Sequence, residues 1–112
     1  MYVIKQTDIF KQWLKVLKDP IARIMITKRI ERAKQGNLGD HKMLGGGISE
    51  LRIDSGKGYR IYYTQIDTTI YFLLNGGDKS SQQNDITKAR TLLDEMKKYR
   101  GENYESLSTR NG

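Results

Sequence analysis

Two arginines and a lysine, Arg52, Arg60 and Lys79, stand where a folded sheet could bring them together. In the stretches 50–54 and 59–64 apolar and polar residues alternate, and residues two apart in a strand point to the same face. Leu51, Ile53, Tyr59, Ile61 and Tyr63 therefore belong to one side, and Glu50, Arg52, Asp54, Arg60, Tyr62 and Thr64 to the other. If helices cover the first side, the second is an open, polar face. Lys79 follows the next strand after Gly76-Gly77, where missing side chains would let a ligand approach the backbone. Such a cluster suits phosphate, because the planar fork of arginine binds two oxygens at once and lysine adds a mobile point charge. Tyr62 could stack on a base or donate through its hydroxyl. The same alternation also fits an ordinary solvated hairpin face, on which Arg52 pairs across strands with a carboxylate.

The charge balance points the same way without choosing a partner. The chain has 112 residues, with 20 Lys and Arg against 13 Asp and Glu, a formal charge of +7. Its pI is near 9.7, which favours a polyanion, either a nucleic acid or an acidic protein. With no cysteine there is no disulfide framework, thiolate nucleophile or Cys-ligated zinc, and a single histidine makes a multi-His metal site equally unexpected. No metal and no cofactor are therefore expected. No stretch approaches the roughly 20 apolar residues of a membrane span, and the start lacks a secretory signal, so a cytoplasmic protein is expected. His41 reads as a solvated loop residue rather than a proton shuttle, and Gly45-Gly46-Gly47 lacks the remainder of any phosphate-loop pattern. Lys28, Arg29, Arg32 and Lys34 read as a solvated helix face, one that could extend a nucleic-acid track through Lys28 and Arg32. Lys57, in a turn, is a further candidate RNA contact.

The elements that must position these residues follow from periodicity and caps. Met1 to Lys5 reads as a strand, and Thr7 or Asp8 offers an N-cap for a helix striped by Ile9, Phe10, Trp13, Leu14 and Leu17. Asp19-Pro20 restarts a second helix, which runs to about Lys34 and stops at Gly36. The five glycines between Gly36 and Gly47 predict a loop. A hairpin follows, turning at Gly56-Lys57-Gly58, then a strand from Ile70 to Leu74 that is apolar on both faces. A last helix from about Asp85 places Ile86, Ala89, Leu92, Leu93 and Met96 on one side and ends near Gly101. The expected order is βααβββα, an α+β domain over 1–101 with a four-stranded antiparallel sheet, the helices on one face, and a disordered tail over 102–112.

The segments GNLGDHKMLGGGISELRIDSGKGYRIYY and IYFLLNGGDKSSQQNDITKA closely resemble the phage-derived addiction-module killer branch, HigB-like, of the RelE/ParE toxin superfamily. The likeness runs from the opening strand to about Tyr99, with E-L-R-I, G-Y-R, L-L-x-G-G-D-K and D-I-x-x-A in the family's order and spacing. It implies a RelE-like fold and the toxin of a type II toxin-antitoxin module, neutralised by an acidic antitoxin, expected to be a helix-turn-helix protein. It also implies one of two activities: ribosome-dependent mRNA cleavage without a metal, or ParE-like poisoning of DNA gyrase without catalysis. In the nuclease members basic residues hold the scissile phosphate, and these carry over to Arg60 within G-Y-R, to Lys79 at the strand exit, and approximately to Arg52. Where some members have a C-terminal tyrosine or histidines for proton transfer, this chain has Ser80 to Asp85, leaving Asp85 or Tyr62 as candidates.

Overall fold

The computed structural model describes residues 1–111, with side chains to Tyr99. The order is β1 (Val3–Gln6), α1 (Asp8–Val16), α2 (Pro20–Lys34), β2 (His41–Gly45), β3 (Ile48–Ile53), β4 (Tyr59–Ile66), β5 (Ile70–Gly77), a short 3-10 turn (Lys79–Ser81) and α3 (Gln82–Asn111). The tail expected over 102–112, and the helix end expected near Gly101, lie outside the residues described with side chains.

Local signals set the first half. The Thr7 hydroxyl accepts from the Phe10 amide at 3.0 Å, so Thr7 is the N-cap of α1. Asp19 caps α2 in the same way, accepting from the Ala22 amide at 3.0 Å ahead of Pro20 at the first helical position. Its second carboxylate oxygen accepts from the Tyr59 hydroxyl at 3.1 Å, which ties the turn between the helices to β4. Gly36, at φ +88°, ends α2 in the left-handed region, as expected of a C-terminal glycine.

The sheet has five strands in the order β1-β5-β4-β3-β2, not four. β1 joins β5 in parallel, with Val3 opposite Ile70, and every other pair is antiparallel. The extra strand, β2, forms where a loop was expected. It is an edge strand held through its backbone, so an apolar alternation is not required of it, and His41 stands on this strand opposite Leu51. The triple glycine is its turn: Gly45, Gly46 and Gly47 have φ of +89°, +64° and +86°, a run that only glycine adopts without strain.

The helices lie on both faces, which corrects the expectation of one. Phe10, Ala22 and Ile26 of α1 and α2 close over Leu51, Ile53, Tyr59, Ile61, Tyr63, Tyr71 and Leu73. On the other face Ala89 and Leu93 of α3 close over Ile48, Tyr62 and Leu74, with Phe72, Ile86 and Met96 packed at the margin. A bulge at Tyr62/Tyr63 in the β4 to β5 register turns both Leu74 and Asn75 toward α3. β5 is thus covered on both sides, as its apolar run predicted. Among the described residues no helix is long and apolar enough to cross a membrane.

Four tyrosines, Tyr59, Tyr62, Tyr63 and Tyr71, are buried in these two layers. Burial raises the pKa of each phenol, that of Tyr71 to about 12, and the Asp19 hydrogen bond adds to the rise at Tyr59. A pKa raised above the unfolded value of about 10 contributes stability that is complete below that pH and is lost as pH climbs toward the native values. In an alkaline titration followed at 295 nm, a fraction of the tyrosines should ionise only together with loss of the near-ultraviolet circular dichroism. Ionisation of all of them near pH 10 with the spectrum intact would contradict the burial.

Candidate functional site

Glu50, Arg52, Arg60 and Tyr62 share the α3 side of the β3–β4 hairpin, as the alternation predicted. Register places Arg52 directly opposite Arg60 and Glu50 opposite Tyr62. Two guanidinium groups facing each other across a strand pair repel. Glu50 lies diagonally between them: its Oε1 accepts from Arg52 Nε at 3.1 Å, and its Oε2 is 3.6 Å from Arg60 Nε. The side chain of Glu50 is 1% exposed, that of Arg60 13% and that of Arg52 35%, so the group opens to solvent from Glu50 outward. Arg52 also reaches Asp40 at 4.0 Å, in the segment ahead of β2.

Lys79 joins from the far end of β5. A methyl carbon placed on Gly58 would lie 3.6 Å from Lys79 Cδ and 3.8 Å from Arg60 Nη1, so both cations border the same glycine. The Lys79 amide donates to the Lys57 carbonyl at 3.4 Å, bringing the exposed Lys57 to the same rim. Asp78 caps the 3-10 turn by accepting from the Ser80 amide at 2.8 Å; the Ser80 hydroxyl, followed by the Ser80 and Ser81 amides and Lys57, holds its carboxyl below the usual range. Arg52, Arg60, Lys79 and Lys57 thus gather at the mouth between the hairpin and the start of α3. Lys28 and Arg32 do not join them, because α2 packs against the opposite face of the sheet.

The face that was read as open is roofed by α3. Tyr62 is wholly buried beneath it, its ring is not open to a base, and burial drives its hydroxyl far above the ordinary phenol range, the direction that disfavours a phenolate. Thr64 and Asn75 are buried there too, and the Asn75 amide donates to the Asp85 carbonyl at 3.0 Å. Nor is the glycine pair an approach for a ligand. A Cβ on Gly76 would lie 2.5 Å from the Trp13 ring, and one on Gly77 would lie 1.8 Å from Asp85 Oδ2. The chain's own side chains fill both places. Asp85 also accepts from the Ser81 hydroxyl, a contact that ties the first turn of α3 to the 3-10 turn before it. Among the described residues no group of three or more His, Asp or Glu side chains is arranged to hold a metal ion.

Two supports of the site lay beyond the reach of sequence patterns. Arg29, placed by its neighbours on a solvated face, instead donates to the carbonyls of Arg52, Leu38 and Asp40, the latter two at 2.8 Å. It clamps α2 to the backbone of Arg52 itself. Arg90 ties α3 to the β2–β3 turn, donating to the carbonyls of Gly45 and Leu44 at 3.1 and 3.2 Å. Glu50, by contrast, was within reach: its i, i+2 spacing from Arg52 already put the two on one face.

No protein-family model matches the chain. Among solved structures, the isolated RelE toxin of Escherichia coli superposes with a TM-score of 0.59 at 18% identity, covering 79% of this chain and 97% of RelE. A chain of the intact E. coli RelBE toxin-antitoxin complex gives 0.59 at 18% identity over 70% of this chain and 96% of that one. A RelE variant bound to a peptide of the antitoxin RelB gives 0.53 at 16% identity, over 75% and 93%. The fold is therefore that of the RelE toxin, as the sequence resemblance implied. Within that fold the chain belongs to one family with an uncharacterized protein of Haemophilus influenzae, 46% identical over 93 residues that make up 83% of this chain and 94% of the relative.

Proposed function

We propose that this protein is the toxin of a type II toxin-antitoxin module and that it acts as a metal-independent endoribonuclease on messenger RNA held in the ribosome. The observation that carries the reading is the meeting of Arg52, Arg60 and Lys79 at one mouth of a RelE-type sheet, with Lys57 on the rim. In the reaction the ribose 2′-oxygen bonds to the adjacent phosphorus as the bond to the 5′-oxygen breaks. The products are a 2′,3′-cyclic phosphate and a 5′-hydroxyl, the proton of the 2′-hydroxyl being lost and one gained by the leaving oxygen. Arg60 and Lys79 stabilise the charge that grows on the non-bridging oxygens, and Arg52 orients the backbone. Alignment of the 2′-oxygen with the phosphorus supplies much of the rate, which lessens the need for a strong general base. Asp85, turned toward Ser81 and Gly77, holds α3 in place, and proton transfer is left to water or the ribosome. The partners are an acidic antitoxin of helix-turn-helix type and the ribosome-bound message, in the cytoplasm.

Induction in growing cells followed by primer extension on translated messages tests this. Discrete cuts within codons, together with growth arrest that a neighbouring antitoxin relieves, are the expected result. Growth arrest with intact messages and damaged or relaxed DNA would overturn the nuclease reading in favour of a gyrase poison. Salt-sensitive nucleic-acid binding without toxicity would overturn the toxin reading as a whole.

A further inference from the structure

The buried carboxylate behind the cations has no place in the step just described. Glu50 is 1% exposed, and a carboxylate taken out of water is tolerated only when paired and hydrogen-bonded. Each of its oxygens meets a different arginine through Nε, the inner nitrogen of the guanidinium: Oε1 with Arg52 at 3.1 Å and Oε2 with Arg60 at 3.6 Å. Glu50 Oε2 and Arg60 Nε are both buried, with no hydrogen-bond partner among the described residues, and face one another.

The outer nitrogens are only weakly engaged. Arg60 Nη1 makes a long contact to the Gly58 carbonyl at 3.4 Å, and Arg52 Nη1 reaches the exposed Asp40 at 4.0 Å. Like charges that register sets opposite each other would splay apart without an anion between them. We infer that Glu50 is a positioning residue, a buried yoke that gathers Arg52 and Arg60 by their inner nitrogens and presents their outer nitrogens to one phosphate.

The inference rests on the nuclease reading for its consequence, and it separates charge from geometry. Glu50→Gln removes the negative charge while keeping the shape, so the mouth becomes more positive and a single-stranded RNA oligonucleotide should bind several-fold more tightly at low salt. With the guanidiniums no longer gathered, single-turnover cleavage of message on programmed ribosomes should fall about 10- to 100-fold. Glu50→Asp keeps the charge but is too short to reach both arginines, so cleavage should fall while RNA affinity stays near wild type. Unchanged cleavage in both variants overturns the inference. So does parallel loss of affinity, cleavage and thermal stability, which marks a merely structural group. The free protein supplies an independent readout by NMR: the Nε protons of Arg52 and Arg60 should exchange slowly with solvent, and quickly in Glu50→Gln. If the wild-type protein cuts no message, the nuclease reading fails by itself, and the yoke stands or falls on that exchange.

Discussion

Replacing Arg60 with alanine should lower message cleavage by about 10²- to 10³-fold, the usual cost of removing one preorganised donor to a developing oxyanion, and should abolish growth arrest. The structure adds a second effect. Arg60 is also one of the two partners of the buried Glu50, so its removal leaves Glu50 Oε2 without its ion pair. Because Arg52 still holds Oε1 at 3.1 Å, the cost is that of one lost charged contact, about 1 to 3 kcal/mol, rather than that of an isolated buried charge. A fall in Tm of about 4 to 8 °C per kcal/mol would follow for a domain of this size. The double variant Glu50→Gln with Arg60→Gln separates the two effects: removing both charges should restore most of the stability and none of the cleavage. Full toxicity in a folded Arg60→Ala protein would remove Arg60 from the reaction.

The hairpin was legible because its information is local. A period of two sorted Leu51, Ile53, Tyr59, Ile61 and Tyr63 from Glu50, Arg52, Arg60 and Tyr62, and the structure keeps that division. Thr7, Asp19-Pro20 and Gly36 were equally readable, since a cap acts within three residues of itself. What alternation cannot say is whether the polar side faces water. Glu50, Tyr62 and Thr64 are polar and buried, because the placement of α3 depends on where the chain goes after Gly77. The apolar face of β5 carrying Phe72 and Leu74 was the available sign that a helix must cover that side too. β2 left no such sign, for an edge strand needs only backbone, and its glycines looked like a loop. Arg29 was illegible for a different reason. Its acceptors are carbonyls of Leu38, Asp40 and Arg52, and carbonyls are the same in every residue.

Gly76 to alanine should be the most damaging single methyl group in the domain, lowering Tm by about 10 to 20 °C. The added carbon would lie 2.5 Å from two atoms of the Trp13 ring, far inside van der Waals contact. The indole is not free to retreat, being packed between Phe10, with ring centroids 5.7 Å apart, and Tyr59, at 6.4 Å. Either α1 lifts from β5 or the strand shifts, and overpacking of this kind costs up to about 3 kcal/mol. Gly77→Ala makes a closer approach, 1.8 Å from Asp85 Oδ2, yet should cost less, because a terminal carboxylate can swing away at the expense of its bond to Ser81. The damage at Gly76 should also reach the site. Its register partner is Ile61, and the next pair along is Gly77 with Arg60, so a displaced β5 moves the strand that carries the guanidinium. Trp13→Leu costs stability alone by leaving a cavity, but in the Gly76→Ala background it removes the obstruction. The double variant should therefore be less impaired, in both Tm and cleavage, than the sum of the single changes. Strict additivity would mean that the indole is not seated on Gly76.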